Sequence, residues 1–245
     1  MRHQTVFKRY EIKYILDTDQ KERLFAHMAP FVLPDPHGQS IIRNVYLDTD
    51  SYRLIRHSID RPPYKEKLRL RAYRTLSAQD EAFVELKKKY DHVVYKRRLA
   101  AKLAEAQDWL SGSAPPPCDT QIAREIDYAR RYYGTLRPAI LLTCAREAFY
   151  GREDTDFRLT FDEQILARTE EVSLTAPIYG TPLLAKGLTL LEVKCNGGIP
   201  LWLAHFLSTE GIYKTSFSKY GTAYRTLIHS NTKELHDEYV FSGNL

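Results

Sequence analysis

Lys65-Glu66-Lys67-Leu68-Arg69-Leu70-Arg71-Ala72-Tyr73 alternates without a break. Successive side chains of an extended strand point to opposite faces, so Lys67, Arg69 and Arg71 share one face and Leu68, Leu70 and Ala72 the other. A strand with three cations in a row faces either water or an anion. Taken alone, the solvated face is the simpler reading, since antiparallel sheets often wet one side. The anion reading gains weight because the same oddity recurs in other strands.

Val6–Leu16 alternates too, with Arg9, Glu11 and Lys13 opposite Tyr10, Ile12 and Tyr14. Ala82–Lys89 puts Glu85, Lys87 and Lys89 on one face, and Asp91-His92 connects it tightly to Val93–Leu99, a return strand carrying Lys96 and Arg98. Pro138–Tyr150 sets Arg146 beside Cys144 and Ala148. Asp156–Phe161 aligns Arg158 and Thr160 with Asp162. Leu188–Asn196 sets Glu192 and Lys194 opposite Leu191, Val193 and Cys195. Ile41–Leu47 is a further strand, preceded by a turn at Pro34–Gly38.

Helices interleave with these strands. Asp17 and Gln20 form a capping box for a helix bearing Leu24, Phe25 and Met28. Asp50 is expected to cap a short helix with Leu54 and Ile55, and a helix is expected from Ala100 to Leu110. Asp119 is expected to cap one with Ile122, Ile126 and Ala129, ended by Gly134. Ile199–Leu207 is a short apolar helix, and Ser218-Lys219-Tyr220 leads into a last one. Ser111–Pro117 is the only linker-like stretch. Neither half reads as complete without the other, so one domain over residues 1–245 is expected, with 230–245 as a polar tail.

Composition narrows the function. With 43% hydrophobic and 27% charged residues, the 245-residue chain has the make-up of a soluble globular protein. The longest apolar run, Ala139–Ala145, is too short to span a bilayer, and the N-terminus has no apolar leader, so a cytoplasmic location and no transmembrane segment are expected. Cys118, Cys144 and Cys195 are odd in number and widely spaced, which fits neither a disulfide framework nor a zinc site. The net charge of +5 is modest for a nucleic-acid binder. Cations confined to one face of several strands suit a compact polyanion instead.

Two architectures satisfy this pattern. One is a closed antiparallel barrel with charges inward and apolar faces outward against helices. The other is a sandwich with apolar faces inward and charges in water. The first has a sharp electrostatic consequence, because like charges about 4 Å apart repel by about 4 kcal/mol at an effective dielectric near 20. A bound phosphate chain would reverse that term, and arginine forks match phosphate oxygens in shape.

The order Arg-x-Glu-x-Lys from Arg9 to Lys13, Arg-x-Arg at Arg69 and Arg71, Glu-x-Lys at Glu85 and Lys87, and Glu-x-Lys at Glu192 and Lys194 resembles the triphosphate tunnel metalloenzymes. Among these it is most similar to the VTC-type polyphosphate polymerase domain, from Arg9 to Tyr220. The resemblance implies an α+β fold: a closed antiparallel β-barrel, or tunnel, with a charged interior and helices packed outside. It implies that Lys13, Arg69, Arg71, Lys87, Lys96, Arg146, Arg158 and Lys219 line the tunnel and hold phosphate. Arg9, Lys194, Ser218 and Tyr220 would add substrate contacts. Glu192 would hold Mn2+ or Mg2+, and Glu11 and Glu85 would sit in the same lumen, either as further metal ligands or orienting the cations.

Two positions depart from the family pattern. Arg9 stands where the hydrolase and cyclase branches have a first glutamate, which pulls towards the polymerase branch. Cys144 stands where the VTC pattern commonly has tyrosine, which alters the details of phosphate placement.

The implied activity is transfer of the terminal phosphate of ATP to a growing polyphosphate chain, with release of ADP. A phosphate end is already an anion near neutral pH and needs no general base, so many cations with few carboxylates suit this transfer. One end of the tunnel would admit nucleotide and the other discharge product. The alternatives are an inorganic triphosphatase or nucleoside triphosphatase on the same fold, and a non-catalytic polyanion-binding module. The sequence does not address oligomeric state.

Overall fold

The computed structural model describes residues 10–91 and 93–229. Residues 6–9 of the expected first strand, including Arg9, His92 of the tight connection, and the tail 230–245 lie outside the described residues. The elements are β1 (Tyr10–Leu16), α1 (Thr18–Met28), β2 (Val32–Asp48), α2 (Arg53–Ile59), β3 (Tyr64–Ala72), β4 (Glu81–Tyr90), β5 (Val93–Lys102), α3 (Leu103–Ser111) and α4 (Gln121–Tyr133). They continue with β6 (Arg137–Gly151), β7 (Arg158–Arg168), β8 (Thr181–Pro182), β9 (Thr189–Cys195), α5 (Leu201–Thr209) and α6 (Lys219–Tyr224), which runs into a π-helical turn, Arg225–His229.

The strands form one sheet in the order β1-β9-β7-β6-β2-β3-β4-β5, with β8 added beside β7; every pairing is antiparallel. Among the described residues the expected closed barrel is not formed, because no ladder joins β5 to β1. The sheet still curls far enough for Lys87 on β4 to pair with Glu11 on β1 at 3.2 Å. The outer edge of β1 is covered by a short return of chain, with a Tyr14–Lys214 bridge and a bond from the Thr215 amide to the Lys13 carbonyl at 2.7 Å. Closure therefore comes from side chains and an edge-covering segment.

The alternation read from sequence decides which face is which. Leu68, Leu70, Val84 and Leu86 point outward and pack with Trp109 and Leu110 of α3 and Ile126 of α4. Trp109 is fully buried and donates its indole N–H to Asp127 at 3.1 Å. On the other flank Leu159, Phe161, Leu191 and Val193 pack with Leu24 and Met28 of α1 and with Leu203 and Phe206 of α5. Burying each such side chain is worth roughly 1.5–3 kcal/mol. Both helices flanking the Ser111–Pro117 loop sit in the same core, so the stretch is a connection between packed neighbours.

A third core differs in kind. Ile15, Leu190, Cys144, Ile42 and Tyr46 share their strands' concave side with the charged residues, by register with Lys13, Glu192, Arg146 and Arg69. They are covered by Ile55 of α2 and by Tyr220 and Ala223 of α6. Among the described residues, then, one end of the concave space is floored with apolar side chains. The expected conduit open at both ends is corrected to a basin with a floor.

Other local expectations shift for identifiable reasons. Pro34–Gly38 is a bulge inside the long β2, where pairing jumps from Pro34–Phe149 to Gln39–Glu147. Such an irregularity is where a sheet tolerates proline. Asp50 does not cap α2; Tyr52 is the cap residue, with a positive φ of 55° and no side-chain bond. The buried Asp48 carboxylate accepts from the Leu54 and Ile55 amides at 2.8 and 3.0 Å instead. Thr120, not Asp119, caps α4, and Asp119 pairs with Arg124. β5 runs on to Lys102, so α3 begins at Leu103. Gly112 and Gly134, at positive φ, end α3 and α4 where a side chain would be strained.

Candidate functional site

The concave face holds two carboxylate hubs, each ringed by cations. Glu85 of β4 is 1% exposed. It receives Arg98 at 2.5 Å, Arg69 at 2.6 Å, Lys96 at 2.8 Å and Arg71 at 3.8 Å. These residues meet because β3, β4 and β5 are consecutive in the sheet, with Arg69 opposite Glu85 and Glu85 opposite Arg98. Burial pushes the Glu85 carboxyl up, but Arg69, Arg71, Lys96 and Arg98 outweigh it and hold it well below the usual range.

The second hub joins Glu192 of β9 to Asp162 of β7. Glu192 touches Lys219 at 2.8 Å, Lys194 at 3.2 Å, Lys13 at 3.3 Å and Arg146 at 3.5 Å. Asp162 is fully buried and binds Arg146 and Lys219, each at 2.5 Å. Burial raises both carboxyls, yet Lys219, Lys13 and Lys194 bring Glu192 far down, and Arg146 with Lys219 brings Asp162 down. Glu11 closes the seam, held low chiefly by Lys87, with a further contact to Lys13 at 3.4 Å.

The structure thus brings Lys13, Arg69, Arg71, Lys87, Lys96, Arg146, Lys194 and Lys219 onto one concave surface with Glu11, Glu85 and Glu192. Arg158 sits nearer its rim, partly exposed and paired with Asp35 from the β2 bulge, and not with Asp162 as its spacing suggested. Ser218 faces the same space, caps α6 and accepts from Lys67 at 3.3 Å. Tyr220, expected at the substrate, is 2% exposed in the floor; its ring stacks on Tyr46 at 4.3 Å and its hydroxyl donates to Asp48 at 2.8 Å. Arg97 and Lys88 point the other way and share Glu125 of α4.

Lys67 was visible in the opening alternation but not singled out as a site residue. Among the described residues it has no carboxylate partner, and burial, then Lys87 and Lys13, depress its pKa to about 7. Arg98 was readable from its spacing to Lys96. Asn44, which accepts from Arg71 at 2.8 Å, and Tyr46, whose hydroxyl accepts from Arg69 at 3.0 Å, lie in a strand without a repeated charge to mark its face.

A divalent metal would need carboxylates that converge with free oxygens. Among the described residues no three His, Cys, Asp or Glu converge in a metal-binding group. Glu85 does not fit, since both its oxygens are engaged by arginines and a lysine. Glu11 and Glu192 do fit a weaker role. Both contact Lys13, and the Glu192 charge pushes the Glu11 carboxyl up, so they are near neighbours. One or two carboxylates completed by substrate phosphates is the usual way a protein holds Mg2+.

The described residues thus form a curled antiparallel sheet with helices outside and clustered ion pairs on its concave face. The chain belongs to the VTC domain family, whose pattern matches residues 8–228. Among solved structures it is similar to a proposed adenylate cyclase from Bacillus halodurans, with 15% identity, a TM-score of 0.53, and coverage of 86% of this chain and 96% of that one. A second proposed adenylate cyclase, from Vibrio parahaemolyticus, gives 12% identity and a TM-score of 0.49, over 89% of this chain and 98% of that one. The first likeness bears on the fold alone. No curated protein matches.

Proposed function

We propose that the protein is a metal-dependent phosphotransferase that moves the terminal phosphate of ATP onto an inorganic polyphosphate chain and releases ADP. The observation that carries this reading is the excess of cations around the two hubs. Lys13, Lys67, Arg69, Arg71, Lys87, Lys96, Arg98, Arg146, Lys194 and Lys219 outnumber Glu11, Glu85, Asp162 and Glu192. The carboxylates fix the cations in place before substrate arrives, which is the preorganisation that phosphoryl transfer needs.

In this reading Arg69, Arg71 and Arg146 hold non-bridging oxygens of the donor and acceptor phosphates. Each is already oriented by a carboxylate or amide partner. Lys13 and Lys219 neutralise charge that shifts onto the leaving oxygen. The acceptor is a phosphate anion, so no residue has to remove a proton from it. A divalent ion at Glu192 and Glu11 supplies further charge neutralisation on the phosphates. Mn2+ and Mg2+ both suit the all-oxygen donor set.

The direct assay is incubation with ATP and Mn2+, with ADP and polymer followed together. ADP released in step with lengthening polyphosphate supports the reading. Free phosphate released without polymer overturns it.

A second reading, hydrolysis of inorganic or nucleoside triphosphate, is favoured by the apolar floor and by Lys67. A floored basin suits a short chain entering from one side. A lysine whose pKa is brought down to about 7, beside a hydroxyl, is neutral in about half of the molecules near pH 7 and can then accept a proton from water. Tripolyphosphate turned over faster than ATP, with only phosphate and pyrophosphate as products, identifies this activity. Binding of polyphosphate without any turnover, unchanged by Glu192→Gln, identifies a non-catalytic module.

A further inference from the structure

On the outer side of β3, away from the ionic basin, α2 and α4 leave a hollow of about 310 Å3 walled by Tyr64, Tyr128, Tyr132 and Tyr133. Its tyrosines are unusually open for rings that crowd together: Tyr64, Tyr128 and Tyr132 are 42%, 67% and 57% exposed. Glu66 also lines the hollow and is only 7% exposed. It follows Tyr64 on the outward face of β3, and the Tyr64 and Tyr133 hydroxyls donate to it.

Glu66 has no cationic partner among the described residues. Lys88, directly across on β4, reaches Glu125 instead, at 3.4 Å. A buried carboxylate with only hydroxyl donors keeps lone pairs for further N–H groups. Arg53 stands on the same lining. Its guanidinium lies 5.2 and 5.4 Å from the Tyr132 and Tyr133 ring centres, and it donates to the Tyr132 hydroxyl at 3.4 Å.

These groups select a ligand by elimination. A free phosphate gains nothing from the aromatic walls and is repelled by Glu66. An organic cation would be drawn to Glu66 but repelled by Arg53, which already covers two ring faces. A flat heterocycle with paired N–H donors and an anionic tail uses all three features. Its face stacks on tyrosine, its donor edge meets the carboxylate, and its phosphate meets the guanidinium. Guanine offers two parallel donors, the ring N–H and the exocyclic amine, that match both oxygens of a carboxylate. Adenine offers only its amine.

We propose that this hollow is a second ligand site that binds a guanine nucleotide, with Glu66 reading the base, Tyr128 stacking on it and Arg53 holding the phosphate. The site is separate from the basin, since Glu66 and Lys67 are successive residues on opposite faces of β3. It stands whether or not the phosphotransferase reading is correct.

The test is calorimetric titration of the full chain with GMP, AMP, inorganic phosphate and spermidine. GMP is expected to bind about tenfold or more tightly than AMP, the difference of one good paired contact. Phosphate and spermidine are expected not to compete. Glu66→Gln should weaken GMP by a similar factor and improve XMP, whose carbonyl replaces the amine and needs a donor. Tyr128→Leu, an exposed change that does not threaten folding, should weaken both nucleotides. Equal binding of GMP and AMP, GMP binding unmoved by both substitutions, or spermidine binding that Glu66→Gln abolishes would each overturn the assignment.

Discussion

Lys87 of β4 and Glu11 of β1 form an ion pair at 3.2 Å across the open side of the sheet, where no ladder joins the described residues of β5 and β1. The pair ties the terminal strand β1 to β4, one strand in from the other end, and holds the Glu11 carboxyl below its usual range. Lys87→Met should therefore loosen the seam. Lys87 is about a third exposed, so the loss is discounted to about 1 kcal/mol. Chemical denaturation measures it, and amide exchange should rise in β1 before it rises in β6.

Glu85→Gln removes the hub that holds Arg69, Arg71, Lys96 and Arg98 together. Breaking a buried pair from one side costs about 3–5 kcal/mol. A bound phosphate chain would take over the lost neutralisation. The variant should melt well below the parent protein alone, and tripolyphosphate should raise its melting temperature more than it raises the parent's. Equal shifts would mean that the cations around Glu85 do not meet the ligand.

Lys67 carries a pH signature. Burial, then Lys87, Lys13, Lys65 and Arg69, bring its pKa to about 7. Its folded pKa is depressed, so the free protein leaves it largely neutral above pH 7 and charged below. A bound polyanion favours the charged form, so binding between about pH 7 and the ordinary lysine range takes up a proton. Affinity for tripolyphosphate should rise as pH falls through that window and level off below it. Calorimetry in buffers of different ionisation enthalpy measures the uptake, and Lys67→Met should reduce it. Lys96, also brought to about 7 by burial against the pull of Glu85, accounts for what is left.

Tyr220→Phe separates packing from substrate contact. The Tyr220 hydroxyl donates to the buried Asp48, which also accepts three backbone amides. Losing that bond should cost about 1–3 kcal/mol of stability, because it leaves a charged acceptor short of a donor. KM for the phosphate substrate should not change. A raised KM with unchanged stability would return Tyr220 to the substrate site.

Much of the site was legible because strand alternation is local. Lys67, Arg69 and Arg71 declare a charged face without reference to anything distant, and so do Glu192 and Lys194. What alternation cannot give is the partner across the space. Asp162 was read with Arg158 from spacing, whereas Arg146 on the neighbouring strand claims it and Arg158 takes Asp35 from a bulge. For Glu85 the sequence leaves two roles open, metal ligand or orienter of cations, because a carboxylate among cations has the same signature in either; its four cation partners select the second. The open edge between β5 and β1 was hidden for a related reason, since ladder closure depends on strands far apart in the chain. The floor was less legible: alternation already sets Cys144 beside Arg146, but it does not show that Ile15 and Leu190, two residues from Lys13 and Glu192, meet Cys144 under one cover.

The central claim is that cations from distant strands act together on one phosphate chain inside the curl. Equilibrium binding of tripolyphosphate to Arg71→Met and to Arg97→Met tests it most directly, because the two changes remove the same charge from opposite faces of the sheet. The account predicts a loss of about tenfold or more for Arg71→Met, in line with a charged hydrogen bond worth about 1.5–3 kcal/mol, and little change for Arg97→Met. Equal losses for the two would contradict it, since binding would then follow net charge and not the enclosed face.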